Sequence, residues 1–147
     1  MTVKIQSVHF DADKKLFGKP IFGKGKTWIG LFCGIFGGII AGTLMAVFFP
    51  EIFVLIPRYL ELIVLLSVGA LLGDLAESFL KRRAGIKSGE MWLLADQLDF
   101  VVGGFLLSLF IRFPEPSVVI VILVVTVFAH MATNFAAYKM KLKKVPW

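Results

Sequence analysis

From Trp28 to Phe49 the chain carries no charged residue. A stretch of that kind must satisfy its backbone N–H and C=O groups internally wherever water is excluded, and a helix does this within one segment. Roughly 20 apolar residues, rising about 1.5 Å each, cross the hydrocarbon core of a bilayer. Three more stretches have comparable character: Leu60 to Leu80, about Ala95 to Ile111, and Ser117 to Tyr138. None shows the short polar–apolar alternation of barrel strands. Of the 147 residues, 58% are hydrophobic and 18% charged, against about 45–50% and 25% in soluble domains. The expected fold is an all-α integral membrane protein, a small bundle of four transmembrane helices forming one domain over residues 1–147. The first apolar run starts too late and lacks the small-residue site of a secretory signal. A single cysteine, Cys33, rules out an internal disulfide framework or a CxxC-type zinc cluster and reads as a small packing residue.

Charge orients the bundle. Of the 16 Lys and Arg, six precede Trp28 (Lys4, Lys14, Lys15, Lys19, Lys24, Lys26), four follow the second span (Lys81, Arg82, Arg83, Lys87) and four close the chain (Lys139, Lys141, Lys143, Lys144). Only Arg58 and Arg112 lie at the opposite ends. The positive-inside rule therefore places both termini and the central loop in the cytoplasm, with the chain multi-pass in the cell (plasma) membrane. The net charge of +6 is one cationic face, suited to topology and to anionic headgroups. No nucleic-acid module or aromatic–basic platform is present, so nucleic acid is not an expected partner.

Acidic groups inside spans are expensive and draw attention to function. In GDLAESFLKRR, Asp74, Glu77, Ser78 and Lys81 follow i, i+3, i+4, i+7 spacing and share one helix face. Asp74 stands nine residues before Arg83, roughly 13 Å along the helix. Across the central loop, Asp96 and Asp99 share a face in DQLD, approaching the same cytoplasmic end. Converging carboxylates suit Mg2+, which takes one or two of them plus substrate phosphates. Lys26, Lys81, Arg82 and Lys87 supply cations for phosphate oxygens. Spacing alone favours metal-assisted phosphate chemistry, and leaves open a proton or cation path and purely structural salt bridges. The segment GKGKTWIG, Gly23 to Gly30, is a weak phosphate-cradle signal, lacking P-loop spacing and a preceding strand; its other reading is an interfacial anchor at Trp28 with Lys26 snorkelling.

The run GALLGDLAESFLKRRAGIKSG followed by LADQLDFVVGG closely resembles the archaeal CDP-archaeol synthases, and GKGKTWIGLFCGIFGG is similar to that family's segment ahead of its next helix. The likeness extends from about Asp11 to the end of the fourth span. More distantly, CDP-diacylglycerol synthases carry S-x-x-K-R-x(4)-K-D before an acidic D-R-x-D. Here Ser78, Lys81, Arg82 and Lys87 stand at those offsets, Ser88 replaces the aspartate, and Asp96-Gln97-Leu98-Asp99 looks like the acidic end. The missing PGHGG stretch favours the shorter archaeal branch.

The resemblance implies that CTP and Mg2+ bind at the cytoplasmic end, with Asp74, Asp96 and Asp99 around the metal. Lys26, Thr27, Ser78, Lys81, Arg82 and Lys87 would bind CTP and its phosphates, and Asp74, Asp99 and Lys81 would carry the catalysis. The second substrate would be an isoprenoid ether-lipid phosphate, giving CDP-archaeol and pyrophosphate; a diacyl phosphatidate is the alternative. Two departures stand out. The family commonly has a further hydrophobic helix ahead of the segment His9–Thr27, where this chain has a short polar arm, so either the start is truncated or four spans suffice. Ile29 stands where relatives often carry a basic residue.

Gly30, Gly34, Gly38 and Gly42 recur every fourth residue, and Gly69 and Gly73 repeat the spacing. Such small-residue stripes let helix backbones approach closely; a homodimer is compatible with them and does not follow from them. His130 and Asn134, at i and i+4, read as a hydrogen-bonded intramembrane pair. His9 reads as incidental, and Met45, Met91 and the Phe residues as core or lipid-facing filler.

Overall fold

The computed structural model describes residues 15–16, 18–23, 26–87, 90, 92 and 95–142. Lys4, His9, Asp11, Lys14, Lys24, Ser88, Met91, Lys143 and Lys144 lie outside the described residues. Among the described residues a hairpin of two-residue strands, β1 (Lys15–Leu16) and β2 (Lys19–Pro20), precedes five helices: α1 (Trp28–Phe48), α2 (Ile52–Leu55), α3 (Tyr59–Ala84), α4 (Ala95–Ser108) and α5 (Pro116–Lys139). Lys15 pairs with Pro20 and Leu16 with Lys19, antiparallel. Gly18 turns the hairpin at φ 76°, a conformation in which a Cβ is disfavoured.

Helix boundaries follow local chemistry. Thr27 is extended and its hydroxyl oxygen accepts the Gly30 N–H at 3.1 Å, capping α1. The one-turn α2 fits between Pro50 and Pro57, a feature not expected from the sequence. Gly85, at φ 83°, ends α3 in the left-handed conformation, and the Ile86 N–H closes back on the Lys81 carbonyl at 3.0 Å. The second apolar stretch thus continues as helix through the Lys81-Arg82-Arg83 cluster instead of stopping at Leu80. Pro116 opens α5 at the position where its missing N–H costs nothing.

Among the described residues three helices, α1, α3 and α5, are long and apolar enough to cross a membrane. The third expected span is shorter than its sequence suggests: α4 has 14 residues, or about 21 Å of helix. Beyond Ser108 the chain tightens into turns, with Phe110 bonding back to Leu107 and Ile111 to Ser108. Only Ala46 of α1 and no residue of α5 is buried. Their outer faces carry large apolar side chains such as Phe36, Phe48, Val121 and Phe128, a surface that water would not tolerate and lipid would.

The close packing is concentrated on α3. Gly34, Gly38 and Gly42 of α1 meet Leu71, Ser67 and Ile63; a methyl on Gly38 would sit 2.5 Å from the Ser67 hydroxyl oxygen and one on Gly42 2.7 Å from Ile63 Cγ2. Tyr59 completes this contact by donating to the Gly42 carbonyl at 2.8 Å. On the other side Gly69 and Gly73 lie backbone-on-backbone against Gly103, Gly104 and the Asp99 carbonyl, with no room for a Cβ. The glycine stripes therefore serve contacts within the chain. His130 Nδ1 and Asn134 Nδ2 are 3.1 Å apart on α5, as the i, i+4 spacing anticipates.

Candidate active site

The chemistry-bearing groups gather at one end of the bundle, where α1 begins, α3 ends and α4 begins. Close contact between Gly73 and the Asp99 carbonyl fixes α4 against α3 one residue from Asp74. The amino-terminal arm delivers Lys26 to the same place: its ammonium donates to Asp74 Oδ1 at 2.5 Å. This pair is half-exposed, with side-chain exposures of 25% and 37%. It lines a cleft of about 190 Å³ between α1 and α3, together with Thr27, Gly30, Leu31, Leu71 and Leu75. The volume is below the roughly 300–1,000 Å³ of whole-ligand pockets, so the cleft suits one part of a large ligand, not all of it.

A second cluster lies deeper. Lys81 Nζ is 2.5 Å from Asp96 Oδ1 and 3.1 Å from Glu77 Oε1, and all three side chains are largely shielded. The other Asp96 oxygen accepts the Trp92 N–H at 3.1 Å, so both oxygens of that carboxylate are committed. Ser78 is buried beside them, its hydroxyl 3.5 Å from Glu77 Oε2. Glu77 shares the helix face noted in the sequence but was not expected among the site residues. Its i, i+4 spacing to Lys81 was the available signal.

Asp99 accepts the N–H of Phe100 through Oδ1 at 2.6 Å. It lies within electrostatic reach of Asp74, Asp96 and Lys26. Arg82 is buried and turned to the backbone, donating to the Ile86 carbonyl at 2.5 Å and the Phe22 carbonyl at 3.3 Å. Lys87 stands in the exposed loop after α3, its backbone N–H donating to Glu90 at 2.8 Å. The structure thus joins Lys26 with Asp74 and Lys81 with Asp96, sets Thr27 and Asp99 beside the first pair, and leaves Lys87 outside both among the described contacts.

A divalent cation suits this donor set. Among the described residues no three His, Cys, Asp or Glu form a ready cage. A hard cation that keeps waters and binds substrate phosphates needs only one or two carboxylates, and Asp74 and Asp99 offer these from two helices at one end.

Comparison with known proteins shows what the chain as a whole is similar to. A family model described as CarS-like, CDP-archaeol synthase, matches residues 8–147. A CDP-archaeol synthase of Methanospirillum hungatei is 43% identical over 140 residues, covering 88% of this chain and 83% of the relative. One from Methanoregula boonei is 42% identical over 137 residues, with the same coverage, and one from Thermococcus onnurineus is 39% identical over 130 residues, covering 88% and 76%. A solved structure of an intramembrane enzyme for archaeal membrane lipids biosynthesis superposes with a TM-score of 0.79 at 32% identity, covering 90% of this chain and 82% of that one. On these matches the chain belongs to the CDP-archaeol synthase family.

Proposed function

We propose that this chain transfers the cytidylyl group of CTP to an unsaturated archaeal ether-lipid phosphate, releasing pyrophosphate and forming CDP-archaeol. The observation that carries the reading is the half-exposed Lys26–Asp74 pair in a cleft at the end where three helices converge, in a member of this family. A phosphate oxygen of the lipid attacks the α-phosphorus of CTP; a new P–O bond forms as the bond to the bridging oxygen of pyrophosphate breaks. The attacking oxygen is already anionic, so no residue need remove a proton, and none becomes covalently attached. The site's work is positioning and stabilising charge.

Lys26 exchanges its contact with Asp74 for a phosphate oxygen of the nucleotide, and Thr27 lies beside it at the start of α1. Asp74 and Asp99 would hold Mg2+, with Asp96 fixed nearby by Lys81. When bound, the ion neutralises charge on the triphosphate and polarises the reacting phosphorus. Lys81, Glu77 and Ser78 set the register of α3 against α4, and Arg82 orders the loop after α3. Lys87, in the adjacent exposed loop, completes the cationic rim.

Four membrane spans, with α4 as a short one, both termini cytoplasmic and the site on the cytoplasmic side, fit the 14-to-2 division of Lys and Arg between the two ends. The isoprenoid chains would then lie along the lipid-facing apolar surfaces while the phosphate meets CTP at the interface. A homodimer is not needed by this reading.

The test supplies purified protein in detergent with labelled CTP, Mg2+ and either an ether-lipid phosphate or a diacyl phosphatidate. Label should enter the ether lipid with release of pyrophosphate. Preferential labelling of the diacyl lipid would transfer the reading to CDP-diacylglycerol synthesis, and no label in either would remove it.

A further inference from the structure

The amino-terminal arm is fastened to the last turn of α3 by a group that nucleotide chemistry does not call for. The Arg83 guanidinium donates to three backbone carbonyls of the hairpin: Leu16 at 2.5 Å, Pro20 at 2.6 Å and Lys19 at 3.2 Å. Its charge sits over the Phe79 ring, 5.2 Å from the centroid. Lys19 reciprocates by donating its ammonium to the Arg83 carbonyl at 2.9 Å, at a helix end where carbonyls lack partners. The arm stays against α3 further on: the Phe22 ring packs on Phe79 with centroids 6.4 Å apart, and the Phe22 carbonyl accepts from Arg82. At Gly23, φ is 90° and an added Cβ would lie 3.3 Å from Arg82 Nε. Three residues later the same arm presents Lys26 to Asp74, nine residues and roughly 13 Å back along α3.

A fork that spans three carbonyls is a property of the planar guanidinium and not of its charge; a lysine ammonium is a point donor on a flexible stem. The alternative role for Arg83 is that of one more cation on the basic face, which a lysine would fill equally well. We propose that Arg83 is a positioning residue for the nucleotide: it locks the hairpin onto α3 and so sets where Lys26 meets the phosphates. This rests on the reading of Lys26 as a phosphate-binding group.

The experiment measures CTP kinetics for wild type, Lys26→Ala, Arg83→Gln, Arg83→Lys and the Lys26→Ala/Arg83→Gln double variant. Tryptic cleavage of the arm and the melting temperature are followed in the same samples. Arg83→Gln and Lys26→Ala should each raise the apparent KM for CTP about tenfold with a much smaller change in kcat, the size expected for a lost charge-assisted contact. Arg83→Lys should resemble Arg83→Gln. Both Arg83 variants should cut faster in the arm. Because Arg83 acts through Lys26, the double variant should be no worse than about twofold beyond either single one. A wild-type KM in Arg83→Lys, a fully multiplicative double variant, or faster arm cleavage at unchanged KM would each overturn the inference. Lys26→Ala with unchanged KM would instead remove the phosphate role of Lys26, and the inference with it, while wild type inactive on CTP would remove the proposed function itself; an arm still loosened in Arg83→Gln would then mark the clamp as purely structural.

Discussion

Two lysine–carboxylate contacts join α3 to its neighbours about two turns apart, and they differ in what surrounds them. Lys81 with Glu77 and Asp96 is shielded, each carboxylate held by the same ammonium. Lys26 with Asp74 stands at the mouth of a cleft, with more than a third of the Asp74 side chain exposed. A shielded pair is costly to break because the survivor is left charged and unpaired, so the first contact behaves as a fixed part of the α3–α4 interface. An open pair contributes little to stability, so the second can exchange partners with an incoming anion. On the proposed reading, the same residue types serve as structure at one level of the helix and as a binding group at the other.

The largest expected effect falls on the shielded cluster. Lys81→Met should lower stability by roughly 3–5 kcal/mol, seen as a large drop in detergent melting temperature; wild-type melting would place Lys81 outside the structural core. Next is Gly73→Ala, whose methyl would collide with the Asp99 carbonyl. It should cost about 1–3 kcal/mol and depress turnover, because the shift separates Asp99 from Asp74. A neutral Gly73→Ala would show that α3 and α4 can part without harm.

At the open pair the expectations reverse. Asp74→Asn should change stability by no more than about 1 kcal/mol, measured by thermal unfolding, yet reduce turnover at least a hundredfold, on the order of removing one preorganised charge-stabilising group. A melting temperature that falls as far as in Lys81→Met would erase the distinction between the two clusters. The smallest effect belongs to the far end of α3, where Arg58 donates to both oxygens of Glu61 on the exposed surface. Glu61→Gln should leave melting and turnover unchanged; a loss of turnover would place the active end wrongly.

The length and apolarity of the uncharged runs make the long helices legible. The uncharged run from Trp28 and the Val- and Ile-rich run before Tyr138 matched α1 and α5 to within a residue or so, because a lipid-facing helix needs little beyond length and apolarity. What was not legible came from contacts distant in sequence. That Gly34, Gly38 and Gly42 face α3, and that Gly69 and Gly73 meet Gly103 and Gly104, depends on helix pairing that a stripe does not specify. The hairpin at Lys15–Pro20 hid within a polar arm too short to show alternation. For the site, the shared face of Asp74, Glu77, Ser78 and Lys81 was readable from spacing. Which carboxylate each lysine takes was not: Lys26 and Asp74 lie 48 residues apart. Arg82 reads from the sequence as a phosphate cation and Arg83 as one more charge of the basic face, because charge is visible in a sequence and the backbone carbonyls that engage the two guanidinium groups are not.

The most direct test compares transfer of label from CTP to an ether-lipid phosphate by wild type and by Asp74→Asn in the same detergent. Wild type should form Mg2+-dependent labelled lipid, and Asp74→Asn should form almost none while melting at nearly the same temperature. Full transfer by Asp74→Asn, or none by wild type, would contradict the assignment of the open pair as the nucleotide-binding centre.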